Sequence, residues 1–547
     1  MRWAHRRLRS GVAVAALACL GCGTPAPPAP DRPAFDLEEA TIADLQARMT
    51  EGRESARSLV EKYVARIEAV DHSGRSGPAL GSVIAVNPDA LAAADALDDQ
   101  RRRQGPRGPL HGIPILIKDN LATLDPMPTT AGSLALASVR SPRDAFVVER
   151  LRAAGAIVLG KTNLSEWANF RSTRSVSGWS AVGGQTRNPY ALDRSPCGSS
   201  SGSAVATAAS LAAAAIGTET DGSIVCPASY ASLVGVKPTL GLLSRGGIVP
   251  IAGSQDTPGP LARTVADAAA LLGAMVGVDP DDPETSDSLR RGRTDYSGFL
   301  DRDGLRGARI GVARRRLFGY NAAADRLAEA AIAELGRQGA VIVDPADVPT
   351  LGQFEDGEFE VLLYEFKVEL NQYLERLGPG VPVRSLTDLI AFNEAHRSEE
   401  LRYFGQDIFT RADQGGPSQV RYREQLARIR ELTRARGIDA VMNAHALDAL
   451  VAPTFGPAWL VDFVNGDILP ADAASPASVA AVAGYPHVTV PMGYYRGLPM
   501  GLSFIGRAWS EPTLLRLAYA FEQATRHRRP PTFAPTADLE TALIAPP

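Results

Sequence analysis

Read for period, the chain alternates two kinds of segment. Glu54 to Val70 sets Leu59, Tyr63, Ile67 and Val70 on one face, which predicts an amphipathic helix. Pro88 to Asp98 predicts a second, Ala-rich helix, and Val147 to Ala154 a third. Short apolar runs at Ile113 to Ile117 and Ala156 to Leu159 predict buried strands. Gly202 to Ala215 is Ala-rich and predicts a helix that opens directly after a run of serines. Val234-Gly235-Val236 and Arg309 to Val312 predict further strands. Ala322 to Gln338 predicts an amphipathic helix that leads into a strand at Ala340 to Val343. Val488 to Pro491 and Met500 to Phe504 predict late core strands. Helices alternating with strands indicate an α/β class: a single large domain with a central mixed β-sheet surrounded by helices. Asp279 to Thr294, rich in Asp, Pro and Arg, reads as an exposed loop, and Gly352 to Gly437 as a mostly helical cap.

Composition narrows the class. The chain has 547 residues, 45% of them hydrophobic, ample for a large core. Its net charge of −4 is spread without long single-sign runs, which leaves nucleic-acid binding without support. Residues 1–23 read as a signal peptide: Arg2, Arg6, Arg7 and Arg9 precede an apolar stretch, Gly11 to Leu20, too short to span a bilayer. Ala16-Leu17-Ala18-Cys19 resembles a lipobox, which would attach the protein to a membrane through a lipidated Cys19. Cys22 is the second candidate, and ordinary cleavage near Gly23 is the alternative; Arg6-Arg7 resembles a twin-arginine signal. Residues 24–36 read as a Pro-rich tether, 37–530 as the catalytic domain and 531–547 as a Pro-rich tail. Each version places the mature protein outside the cytoplasm. There Cys197 and Cys226 can pair as a disulfide; the alternative is two small buried side chains.

Of 57 basic residues only five are lysine: Lys62, Lys118, Lys161, Lys237 and Lys367. A chain that otherwise chooses Arg keeps Lys where Arg cannot substitute, and one such task is losing a proton. Lys118 follows the apolar run Ile115-Leu116-Ile117. Burial there lowers the ammonium pKa and produces a general base; the competing reading is a lysine paired with Asp119 or reaching solvent from a strand end. Two serine-rich patches supply hydroxyls: Cys197-Gly198-Ser199-Ser200-Ser201-Gly202-Ser203 and Gly217-Thr218-Glu219-Thr220-Asp221-Gly222-Ser223. A serine is a weak nucleophile until a base takes its proton. None of the seven histidines sits in a recognisable Ser/His/Asp pattern, and no zinc-hydrolase motif occurs. His111, in a Leu-His-Gly-Ile-Pro turn, reads as structural. Thr220, Asp221, Gly222 and Ser223 form a tight turn whose backbone N–H groups can converge on an oxyanion. Gly198 to Gly202 also matches the Gly-x-Ser-x-Gly elbow with Ser200 as nucleophile, but turn-rich Arg187 to Pro196 is not the strand that an elbow requires.

These stretches, with Leu80 to Pro88, Leu110 to Asp119, Gly160 to Trp167, Gly235 to Thr239, Asp256 to Pro260 and Pro486 to Pro491, resemble the amidase signature family of serine hydrolases from about residue 40 to 525. The resemblance implies a Ser–cis-Ser–Lys triad: Ser223 as nucleophile, Ser199 as bridging serine after a cis peptide, Lys118 as base, and Ser200 in support. The 24 residues from Ser199 to Ser223 are the family's spacing. It also implies an amidase without cofactor, metal or obligate protein partner, acting on a small-molecule or peptide amide. Cys197, Ser201, Asp221 and Val225 depart from the common pattern. Glu219 to Pro227 instead resembles the bacterial peptide amidases, which remove C-terminal amides from peptides.

Two other functions remain open at this level: a glutamine-hydrolysing amidotransferase subunit, cytoplasmic and partnered, and a non-catalytic scaffold on the same fold. Trp167, Phe170 and Trp459 are candidates for the substrate pocket; the competing reading is core aromatics.

Overall fold

The structure is a computed structural model that describes residues 35–72, 77–378, 380–468 and 475–539. The described residues from 39 onward form one compact unit, and 35–38 belong to a separate one. The expected signal segment, with Cys19 and Cys22, lies outside the described residues, as do 24–34 of the expected tether and 540–547 of the expected tail.

The core is an eleven-stranded mixed sheet. Its first half runs, in spatial order, Val83–Val86, Ile157–Thr162, Pro114–Lys118, Ala214–Glu219, Thr257–Ala262 and Val234–Lys237. The second continues through His487–Tyr495, Leu498–Ile505, Ala449–Pro453, Arg309–Val312 and Val341–Val343. Pro114–Lys118 is flanked by parallel strands on both sides, with Ile117 opposite Lys161 on one and Ile216 on the other. All five of its residues are buried, as expected of a parallel strand covered on both faces.

Most sequence expectations become elements close to where the periodicity put them. The first helix is Ala56–Arg66, continued by one wide turn to Asp71; the second runs Ala90–Gln104, and another Ala322–Arg337. The region from 352 to 437 is helical, with Glu355–Arg376 and Gln419–Thr433 as its long members. Its apolar faces pack Leu363, Phe366 and Phe409 against Ala131, Leu136 and Ile251.

Two expectations need correction. The Ala-rich run is not one helix from Gly202 to Ala215. The helix is Ser201–Ala208, Ser210 has a φ of +56°, and Ala214–Glu219 is a strand. Ala213 N–H donates to Pro114 O at 3.1 Å, and Ala214 pairs with Ile115. Sheet pairing overrides the helical preference of alanine there. Asp279 to Thr294 is not a plain exposed loop either. It holds a short 3-10 turn, Pro283–Asp287, and one helical turn, Ser288–Arg291. Asp279 and Asp282 are buried there, accepting from Ser244 Oγ at 2.5 Å and Arg245 N at 2.9 Å. The start of the expected tail is docked: Phe533 N–H donates to Pro189 O at 3.0 Å, and Leu192 N–H to Ala534 O at 2.8 Å.

The serine-patch helix is seated by backbone contact. Gly202 N–H donates to Asn163 O at 2.9 Å. A Cβ on Gly202 would fall 2.3 Å from Ser82 O and 2.5 Å from Asn163 O. Gly202→Ala is therefore expected to cost about 1–3 kcal/mol of stability, the usual penalty of overpacking. A lowered thermal midpoint checks it; an unchanged midpoint would mean that the two strands yield freely.

Candidate active site

Lys118 ends its strand with no solvent exposure. Its Nζ lies 2.7 Å from Ser199 Oγ, 2.8 Å from Thr218 Oγ1 and 3.2 Å from Thr218 O. Burial lowers its pKa from 10.5 to about 7, while the carboxylates of Asp256 and Glu219 pull weakly the other way. Much of its population at neutral pH is thus a neutral amine, with two N–H donors and one lone pair. Thr218 O can only accept, so at least one N–H points to Thr218.

The two serine patches meet at this amine. The Gly198–Ser199 peptide is cis. Ser200 caps the helix Ser201–Ala208 and ties the patches together. Its Oγ donates to Thr218 O at 3.0 Å and accepts from Thr218 N–H at 3.1 Å, while its own N–H donates to Ser223 O at 3.2 Å. The Ser200 hydroxyl is thus engaged on the strand Ala214–Glu219. Ser223 is 8% exposed, and its Oγ makes no hydrogen bond to the described residues.

The turn before Ser223 is organised from below. Gly222 has a φ of +80°, a conformation that glycine adopts without penalty. The Glu219 carboxylate accepts from Ile224 N–H at 2.7 Å and Val225 N–H at 3.0 Å. The N–H groups of Thr220, Asp221 and Ser223 meet no acceptor among the described residues. Unengaged N–H groups in one turn are the kind of donor an oxyanion takes. Thr220 Oγ1 donates to Asp256 Oδ1 at 2.6 Å, and Gln255 Nε2 bridges Thr220 O at 3.2 Å and Glu358 Oε1 at 2.9 Å. Burial raises Asp221 to about 7 and Asp256 to about 6.

The three aromatic candidates separate. Trp167 (2% exposed) and Phe170 (8%) sit in the cluster under the cap helices, edge-on to Phe409 and Phe366. They pack as core aromatics there, and Ala168 between them lines a cavity of 300 Å3 shared with Asn120, Thr218, Thr220 and Asp256. Trp459 lies with Tyr230 and Phe455 against Cys197 and Cys226. Phe455 Cζ would stand 3.7 Å from a Cβ on Gly222, so this second cluster borders the Ser223 turn. Cys197 and Cys226 are disulfide-bonded with Cα atoms 5.9 Å apart, linking the residue before Gly198 to the helix that follows Ser223. His111 is structural: its Nε2 meets Leu97 O at 3.0 Å.

Residue reading missed roles for Thr218, Glu219 and Asp256, although all three stand in the quoted motifs. A threonine or a carboxylate in a loop carries no signal of what it will face. Three of the five lysines, Lys118, Lys161 and Lys237, have zero exposure, which bears on their retention in an Arg-rich chain.

The amidase family model matches residues 58–515. The chain belongs to the amidase family. It is a hydrolase acting on amide C–N bonds, built on the amidase signature fold. A probable amidase of Arabidopsis thaliana is 42% identical over 91% of this chain and 92% of the relative. The solved peptide amidase of Stenotrophomonas maltophilia is 54% identical, with a TM-score of 0.86 over 91% of this chain and 100% of that one. The A-type subunit of the glutamyl-tRNA(Gln) amidotransferase of Halorhodospira halophila is 35% identical over 89% of this chain and 98% of the relative.

The low Lys118 pKa has a thermodynamic consequence for the amidase. The unfolded chain holds this proton up to about pH 10.5, the folded one only to about 7. The group therefore costs stability that is fully felt below about pH 7 and fades as pH rises towards 10.5, on the order of 3–5 kcal/mol in full. Lys118→Met is expected to gain most over wild type in thermal midpoint at pH 6 and less at pH 9. A difference that does not change with pH would mean that the folded amine holds its proton normally.

Proposed function

We propose that this amidase is an exported enzyme that removes the C-terminal amide from peptides through an acyl-enzyme on Ser223. The observation that carries the chemistry is the 2.7 Å contact between the buried Lys118 amine and Ser199 Oγ. The Lys118 lone pair takes the Ser199 proton as Ser199 takes that of Ser223. Ser223 Oγ attacks the amide carbon, and the oxyanion rests on the N–H groups of Thr220, Asp221 and Ser223. Loss of one such donor typically costs about 3 kcal/mol of transition-state stabilisation. The relay then returns a proton to the leaving nitrogen, the C–N bond breaks and ammonia departs. Water, deprotonated by the same relay, hydrolyses the ester and restores Ser223.

The substrate class is supported by the 54% identity to the Stenotrophomonas peptide amidase across that protein's whole chain, against 35% for the amidotransferase relative. Export is supported by the Arg-led apolar segment at residues 2–20 and by the disulfide, a bond that persists in oxidising compartments.

Ammonia release from peptide, aromatic and aliphatic amides and from glutamine is the direct test. Peptide amides are expected to be turned over fastest, and Ser223→Ala to lose at least about 10^3-fold in kcat. Peptide amides ranking last would overturn the substrate assignment. Glutamine as sole substrate would favour the amidotransferase reading, and no release from any amide, with Ser223→Ala indistinguishable from wild type, a non-catalytic scaffold.

The pH profile is a second test. The relay needs the neutral amine, so kcat/KM is expected to rise with pH through a midpoint near 7. Asp256→Asn removes a carboxylate that favours the ammonium and is expected to move that midpoint down. A profile flat from pH 5 to 8 would sink the lysine base.

A further inference from the structure

The hydroxyl of Thr218 is gripped from two sides. Lys118 Nζ donates to Thr218 Oγ1 at 2.8 Å, and Asn120 Nδ2 donates to the same oxygen at 2.9 Å. Both donors come from one short stretch, two residues apart, where the strand Pro114–Lys118 ends beside the strand Ala214–Glu219. The Asn120 backbone is fixed, since its carbonyl accepts from Val249 N–H at 2.9 Å. Asn120 is 3% exposed, and its Oδ1 meets no partner among the described residues. A buried amide that leaves its acceptor unmet is destabilising. Packing alone would favour an apolar side chain there, yet the amide is kept and its donor serves Thr218.

We propose that Asn120 is a positioning residue for amide hydrolysis, acting through the Thr218 hydroxyl to turn the Lys118 lone pair onto Ser199. The inference rests on the reading of Lys118 as base. The neutral amine has three outer positions, and its three neighbours are Thr218 O, Thr218 Oγ1 and Ser199 Oγ. If both threonine oxygens accept, the lone pair faces Ser199. A hydroxyl is also a donor, and a Thr218 rotor turned the other way would offer its proton to the same lone pair. Asn120 Nδ2 fills one acceptor site of Oγ1 and fixes the rotor, so that its remaining lone pair receives the Lys118 N–H. Asn120 thereby acts on orientation: among the described residues its side chain hydrogen-bonds only to Thr218 Oγ1.

Steady-state kinetics on a peptide amide test this with Asn120→Leu, Thr218→Val, Thr218→Ser, the Asn120→Leu/Thr218→Val double variant and Lys118→Met. Asn120→Leu and Thr218→Val are each expected to lower kcat about 10- to 100-fold, the range of small misplacements near a reacting group, with KM within about twofold. Thr218→Ser, which keeps the hydroxyl, is expected to recover most of the loss. The double variant is expected to match Thr218→Val alone, because Asn120 acts only through that oxygen. Additive losses, a loss carried by KM, or wild-type kcat in Asn120→Leu would each overturn the proposal. Should Asn120→Leu not fold, as judged by its thermal midpoint, Asn120→Ser carries the same comparison with Thr218→Val. Lys118→Met separates the two readings. If it keeps activity, the base assignment fails; if it is inactive while Asn120→Leu is wild type, only the positioning role fails.

Discussion

A lysine amine held out of water at the end of a doubly flanked parallel strand is the constraint around which the rest of this molecule is arranged. Its surroundings are apolar enough to bring the pKa to about 7 and polar enough to orient what remains. The polar partners come from two other segments. Ser199 stands at the N-terminal side of a helix that Gly202 seats against Ser82 and Asn163, and Thr218 belongs to the neighbouring strand. Moving any of these segments by about 1 Å would take the 2.7 Å and 2.8 Å contacts out of hydrogen-bond range.

The same site explains several costly features elsewhere. Buried carboxylates are expensive unless paired or hydrogen-bonded. Here they serve as pegs for irregular backbone. Glu219 holds the N–H groups after the Ser223 turn. Asp256 Oδ2 accepts from Ile251 N–H at 2.8 Å and Ala252 N–H at 2.9 Å, while its other oxygen takes Thr220 Oγ1. Gly253 and Ser254 donate their N–H groups to Glu369 and Glu365 at 3.0 Å, and Gln255 reaches Glu358. All three glutamates lie on the helix Glu355–Arg376, so the loop 251–256 couples the cap to the turn before Ser223. The buried Arg171, 2.9 Å from Glu166, makes a second tie through the Glu400 side of the cap.

Much of this was legible from residue patterns. Lysine scarcity together with the apolar run Ile115-Leu116-Ile117 marked Lys118, because of the two basic side chains only lysine readily loses its proton on burial. The Gly-containing turn before Ser223 follows from Asp-Gly-Ser, and the α/β class from alternating periodicities. The Ala-rich stretch misled because alanine is the best helix former by intrinsic preference, while Ala214–Glu219 lies deep in a sheet that no local preference reports. Where the rings of Trp167 and Phe170 pack was not legible for a related reason. A place in a motif says nothing about which side of the backbone a ring occupies.

The chain's own order of residues determined the chemistry available: a nucleophilic hydroxyl, a second hydroxyl, a lysine in an apolar run and an amide-rich turn, all on motifs of the amidase family. It also determined most helices and strands, since local period suffices for these. Tertiary structure alone decided which oxygens surround the Lys118 nitrogen, that Cys197 and Cys226 join, and that Lys118 and Asn120 meet on Thr218 Oγ1. The partners so joined are 29 to 100 residues apart along the chain. Their meeting depends on sheet register and helix seating, which are set by pairings between distant strands rather than by any residue's neighbours.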